Sequence, residues 1–125
     1  ENNIDFFAYS PLSFGILCID PDKEENKEKS FIRNALFENY KKPTYELRRC
    51  LKRIANQRSV SQAQVAINWC CYQGTIPLVG MRKKSQVIDV SNVFKWNLNK
   101  SEFKVLQEFS KKCLKKMPKN PFSSI

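Results

Sequence analysis

Thr75-Ile76-Pro77-Leu78-Val79-Gly80-Met81-Arg82-Lys83-Lys84-Ser85-Gln86 is the stretch that decides the fold of this 125-residue chain. It opens as an apolar run of strand length and breaks at Gly80. Three consecutive cations follow, then Val87, Val90 and Phe94 at helical spacing. Strand, glycine turn, cations, helix start is the order that a phosphate site needs. The first amides of a helix have no intrahelical acceptor and carry partial positive charge. A bound anion satisfies them, and Arg82, Lys83 or Lys84 adds charge-assisted bonds. The competing reading of the same residues is a buried strand followed by a solvated basic turn.

Upstream, residues 4–8 read as a second short strand. Tyr9-Ser10-Pro11-Leu12 stops it, because proline ends ladder pairing, and Gly15 permits a turn or a close backbone approach. Residues 20–30 are dominated by Asp, Glu, Lys and Asn and read as a mobile charged loop. Residues 31–40 read as a short helix. Pro43 and Thr44 open a longer helix that reaches about Gln57, with Leu47, Cys50, Leu51 and Ile54 as its apolar stripe and Arg48, Arg49, Lys52 and Arg53 off it.

Ser61 reads as the next N-cap, with Gln64 completing a capping box. Val65, Ala66, Trp69 and Cys70 form that helix's buried face, and Gly74 ends it. Asn99 with Glu102 boxes the last helix, and Leu98 against Phe103 is its hydrophobic staple. Phe103, Leu106, Phe109 and Cys113 give its inner stripe, and residues 115–125 read as a frayed basic tail. A strand that returns through helices to a second strand is a parallel βαβ unit. Two strands leave open edges and are seldom stable alone. Residues 1–125 therefore read as one α/β portion of a longer chain.

A net charge of +10 favours anionic partners without choosing among nucleotides, nucleic acid, acidic lipid and acidic protein. No apolar run reaches membrane-spanning length, and no signal-peptide pattern follows Glu1-Asn2-Asn3. Cys18, Cys50, Cys70, Cys71 and Cys113 are odd in number and include no C-x-x-C. They read as reduced thiols in a reducing, cytoplasmic compartment. The sequence has no histidine. That removes Ser-His catalysis, a histidine-activated cysteine and the common zinc sites. No catalytic residue and no metal ligand is assigned.

Four segments in this order and spacing resemble the aldo-keto reductases. Tyr9-Ser10-Pro11-Leu12 with Gly15-Ile16-Leu17 resembles the family's seventh-strand signature. Residues 61–69, around Ala63-Gln64-Val65-Ala66, resemble the helix before its eighth strand. Ile76-Pro77 through Gly80, with Arg82 and Gln86, resembles the eighth strand and its loop, and residues 92–106, with Trp96, Leu98 and Glu102, the closing segment. The match runs from residue 4 to about residue 110. The branch that it most resembles includes the potassium-channel β subunits and similar bacterial reductases.

The resemblance implies the C-terminal part, strands seven and eight with their helices, of a (β/α)8 TIM barrel. Barrel enzymes often bind phosphate at the loops after those strands. It further implies that this part holds NADPH. Tyr9 would stack on the nicotinamide ring, and Ser10, Pro11, Leu12, Ser13 and Gly15 would cross the pyrophosphate. Gly80, Arg82 and Gln86 would lie near the adenosine 2′-phosphate, Asp89 near the adenine, and Arg33 would be a further phosphate contact. The intact parent would reduce aldehydes or ketones to alcohols. The family's Asp-Tyr-Lys-His tetrad lies on earlier strands, so this chain would position the cofactor and have no reductase activity of its own.

Two positions depart from the family. Ile19-Asp20-Pro21 stands where many relatives carry Gly-Lys-Tyr, which sets a carboxylate near a pyrophosphate that it would repel. Val90 replaces an adenine-contacting asparagine. The residues also keep plainer readings: Tyr9 as a strand-end core aromatic, Arg82 as a surface cation, Gln86 and Asp89 as helix-surface residues, Trp69 and Trp96 as core. Two other functions compete. One is a basic nucleic-acid-binding module, with a helix-turn-helix around Ser59-Val60-Ser61. That reading leaves residues 76–79 and the Tyr-Ser-Pro-Leu loop without a role. The other is a barrel relative that has lost catalysis and works as an interaction subunit.

Overall fold

The two apolar runs do pair. In the structure, a computed structural model that describes residues 3–23 and 31–117, β1 (Phe7–Tyr9) and β2 (Ile76–Leu78) run parallel. Phe7 lies opposite Ile76, Ala8 opposite Pro77 and Tyr9 opposite Leu78. Both strands are shorter than the runs that predict them, and β1 includes Tyr9 rather than ending before it. The pleat sends Phe7, Tyr9, Ile76 and Leu78 to an exposed face, while Ala8 and Pro77 are half-buried on the other.

Helices supply the crossover that parallel pairing requires. A 3-10 segment, Ser13–Cys18, leads from β1 towards α1 (Phe31–Lys41), α2 (Tyr45–Arg58) and α3 (Gln62–Tyr72). After β2 come α4 (Lys84–Ser91), a 3-10 segment Asn92–Lys95, and α5 (Lys100–Lys116). Periodicity dictates the packing of α2, α3 and α5. Cys50, Leu51, Ile54 and Ala55 of α2 close on Val65 and Ala66 of α3, and on Leu98 and Leu106. Each large side chain buried this way contributes about 1.5–3 kcal/mol. Trp69, Trp96 and Phe109 pack on the edge of that core. The Phe103 ring stacks on Tyr72 at 4.3 Å and on Trp69 at 6.3 Å between centroids. Ile16, Phe37 and Tyr40 form a second, smaller cluster.

The end signals are local and hold. Ser61 Oγ accepts from the Gln64 amide at 3.1 Å. Asn99 Oδ1 accepts from the Glu102 amide at 2.9 Å, and Glu102 Oε2 from the Asn99 amide at 2.8 Å, a complete capping box. Gly74 follows α3 at φ +75°, a conformation that side chains with a Cβ rarely adopt.

Four expectations need correction. Gln64 does not complete a box with Ser61, because its side chain is drawn to Asp89 and Trp96 instead. Arg48 does not lie off the apolar stripe, since it is only 2% exposed. Its Nη2 donates to the Lys41 carbonyl at 2.8 Å and its Nε to Thr44 Oγ1 at 3.2 Å. It thus satisfies a carbonyl at the C-terminal end of α1, where the helix dipole favours a cation. Burial lowers its pKa from the ordinary value, with Tyr45 and Asp20 opposing. The helix predicted to fray from residue 115 runs on to Lys116, and residues 118–125 lie outside the described residues.

Finally, the start of the charged 20–30 segment is tied down. Lys52 Nζ donates to Asp20 Oδ1 at 2.6 Å and to Asp22 Oδ2 at 2.7 Å. The Lys52 bond, with the Asp22 amide, holds the Asp20 carboxyl below its ordinary value, and the two carboxylates raise Lys52. Residues 24–30 lie outside the described residues.

The helix-turn-helix reading fails on burial. A recognition helix must offer a polar face to a groove. α3 instead buries Gln64, Val65, Ala66, Ile67, Asn68 and Cys70, and it carries no Lys or Arg. No helix among the described residues is long and apolar enough to cross a membrane.

Candidate functional site

Parallel register places the C-terminal ends of β1 and β2 side by side, so the two segments that follow leave from one edge of the sheet. Tyr9 ends β1 with its side chain 83% exposed, so in this chain it is not a core aromatic. The backbone then folds tightly. Ser10, Ser13 and Phe14 have φ of 51°, 47° and 58°, and Gly15 has 90°. A left-handed non-glycine residue costs on the order of 1–3 kcal/mol and persists only where its surroundings over-determine it. Here the Ser13 amide donates to the Ser10 carbonyl and the Gly15 amide to the Leu12 carbonyl, both at 2.9 Å. Gln62 Nε2, at the start of α3, donates to the Leu17 carbonyl at 2.9 Å and the Ile19 carbonyl at 3.3 Å. Leu12 and Leu17 pack against the core. Sequence reasoning passed over Gln62, since its bonds reach back more than 40 residues.

The second segment, Gly80 to Gln86, is exposed throughout. Gln86 turns back to cap its own helix, its Oε1 accepting from the Arg82 amide at 2.8 Å and the Lys83 amide at 3.0 Å. A lysine ammonium has nothing to accept with, so only this half of a capping box forms. The amides of Lys84 and Ser85 pair with no acceptor among the described residues. The Arg82, Lys83 and Lys84 side chains enter no ion pair among the described residues. Gly80 is not held in a left-handed conformation, and a Cβ built there meets nothing within 4 Å. Folding therefore does not demand glycine at 80, whereas open backbone there suits the close approach of a ligand. Two free amides beside three unpaired cations are the donor set that a phosphate takes.

Asp89 is engaged within the protein. Its Oδ2 accepts from Ser61 Oγ at 2.6 Å and its Oδ1 from Gln64 Nε2 at 2.7 Å. Val90 is half-buried. Arg33 lies on α1, but its side chain is outside the described residues. Asp20, which departs from the family pattern, is matched by Lys52 and is not a bare carboxylate. The structure thus lets the residues after Tyr9 and after Leu78 leave from one end of the sheet, and it brings Arg82 and Gln86 together at the start of α4. Asp89 sits one helical turn beyond Gln86, turned towards α3.

Nothing else described competes as a reaction centre. A groove of about 460 Å³ runs along α2 past Asp22, Glu46, Arg49 and Arg53, and no candidate residue lines it. Its lining mixes both signs of charge and has no focus. Burial pushes the Cys70 thiol up to about 11, with Cys71 adding to the rise, and burial also raises Cys50, Cys71 and Cys113. These thiols stay protonated near neutral pH and are poor nucleophiles.

Residues 1–111 match the Aldo/keto reductase family. The chain is 32% identical over 124 residues to a chloroplastic pyridoxal reductase of Arabidopsis thaliana, covering 99% of this chain and 33% of that protein. It is 23% identical over 110 residues to a Saccharomyces cerevisiae protein named as an aryl-alcohol dehydrogenase, covering 86% of this chain and 32% of that one. The chain spans about a third of the length of these curated relatives.

Proposed function

This chain belongs to the aldo/keto reductase family, and on that premise we propose that it is the seventh and eighth β/α units of a (β/α)8 barrel and holds NADPH. The observation that carries the proposal is the shared edge. Parallel pairing, with Tyr9 opposite Leu78, supports it by letting the Tyr9 loop and the Gly80–Gln86 turn leave from the same end of the sheet. The free Lys84 and Ser85 amides, Arg82 and the open backbone at Gly80 receive the 2′-phosphate. Residues 10, 11, 12, 13 and 15 follow the pyrophosphate, and the exposed Tyr9 ring offers its face to the nicotinamide. Arg33 is assigned as a further phosphate contact and Asp89 as the acidic neighbour of the adenine.

NADPH supplies hydride when bound; these residues orient it and do no proton transfer. The proton donor and the substrate pocket belong to the units outside this third, so this chain alone reduces no carbonyl. The exposed face of Phe7, Tyr9, Ile76 and Leu78 supports such completion, because parallel sheets are ordinarily covered on both faces. The relatives' names, a pyridoxal reductase and an aryl-alcohol dehydrogenase, support interconversion of an aldehyde and an alcohol in the whole protein.

Titration with NADPH and NADH tests the assignment. NADPH binds more tightly, because NADH lacks the 2′-phosphate. Arg82→Ala weakens NADPH by about tenfold, the worth of one charge-assisted bond, and barely moves NADH. Equal affinity for the two cofactors, or none for either, overturns the reading. Aldehyde reduction by this chain alone overturns its inactive part.

A further inference from the structure

α4 carries the basic turn, yet it buries none of its own side chains. Apolar packing therefore fixes it only weakly, through the half-buried Val90. What reaches it from α3 is polar: Ser61 Oγ and the buried Gln64, 4% exposed, both hold Asp89, while Asn68, one turn on from Gln64 and 3% exposed, holds the segment that follows α4. Gln64 Nε2 donates to Asp89 Oδ1 at 2.7 Å, and Gln64 Oε1 accepts from Trp96 Nε1 at 3.0 Å. Asn68 Nδ2 donates to the Trp96 carbonyl at 2.8 Å, and Asn68 Oδ1 accepts from the Leu98 amide at 3.1 Å. A buried amide side chain is tolerated only when its donors and acceptors are met. Both residues meet that condition by gripping the α4–α5 segment.

We propose that Gln64 is a positioning residue: by holding Asp89 and Trp96 at once, it fixes α4 and sets the basic turn against the sheet edge. The clamp stands on geometry alone. Its consequence for cofactor binding rests on the function proposed above.

Gln64→Glu keeps the shape and the acceptor for Trp96 but removes the donor and turns a carboxylate towards Asp89. Amide hydrogen exchange, measured without cofactor, reports the clamp. Exchange over residues 84–91 rises about tenfold or more in this variant while α2 stays unchanged. Gln64→Met, which adds no charge, gives a smaller rise in the same segment. Combining Gln64→Glu with Asp89→Asn restores a donor–acceptor pair with the roles exchanged and returns exchange towards the natural rate. Unchanged exchange over 84–91 in a folded variant overturns the proposal, and so does an equal rise across α2 and α4.

Cofactor titration supplies the second readout. Gln64→Glu weakens NADPH by about tenfold and NADH by clearly less, because Asp89 neighbours the adenine that both share while only NADPH brings the 2′-phosphate to the turn. A matched loss for both cofactors means a merely structural role and overturns the positioning claim. Should the natural protein not prefer NADPH, the function proposed above falls, and exchange alone decides the clamp.

Discussion

α3 and α4 precede and follow β2 along the chain and are built on opposite principles. α3 is enclosed on nearly every side, with Val65 at 0% exposure. α4 has no buried residue and leaves Val87 and Ile88 half in solvent. Burial of α3 sums many small dispersion and transfer terms that no single change abolishes. The placement of α4 depends on a few directional bonds: Gln86 capping its start, and Asp89 held by Ser61 and Gln64. The lesson is one of division. A helix start that is to receive a charged ligand has to stay open, so its precision is borrowed from a neighbour that is closed. Ligand-binding segments are drawn from the less stable parts of a fold for this reason.

The sharpest way to break this contrast is paired truncation. Ile54→Ala, in the core on which α3 rests, destabilises by about 2–5 kcal/mol through lost burial and the cavity left behind. Val87→Ala on α4 stays within about 0.5 kcal/mol. Equal losses in denaturant unfolding would erase the distinction between the helices. Ser61→Ala comes next. It removes the cap of α3 and one of the two donors on Asp89, for about 1–2 kcal/mol in the same assay.

Gly80→Ala sharpens the contrast from the ligand side. With open space around the added methyl group, unfolding shifts by no more than about 0.5 kcal/mol, while NADPH affinity drops in a calorimetric titration. The smallest effect lies at the Asp20–Lys52 pair. Lys52 holds the Asp20 carboxyl below its ordinary 3.8, so the stabilisation is present above that value and fades as pH falls through the lower folded value. Natural protein and Lys52→Met should therefore differ in melting temperature at neutral pH and converge in acid. A gap that persists in acid would show that the ion pair is not its source.

How much of this was legible beforehand follows the range of each interaction. The caps at Ser61 and Asn99 were readable because donor and acceptor are three residues apart. The stripe Leu47, Cys50, Leu51 and Ile54 was readable because helical spacing alone puts those residues on one face. The strand–glycine–cation order of residues 76–84 pointed to the candidate edge in the same way, although the exact strand ends did not. Arg48 was misplaced: its charge argued for solvent, while the open end of α1 drew it inside. Gln64 was misassigned because a local box partner and a long-range clamp need the same residue type.

By itself, then, the sequence determined which segments coil, where they begin, and that two short apolar strands flank a helical excursion, since each rests on neighbours within a turn or two. Only the tertiary structure decided that the strands pair with Tyr9 beside Leu78, that Asp89 is held by residues 25 and 28 positions away, and that Asp20 is neutralised by Lys52 from 32 positions away. Those outcomes depend on where the packed helices bring distant polar groups together, and no pattern of spacing along the chain encodes that meeting.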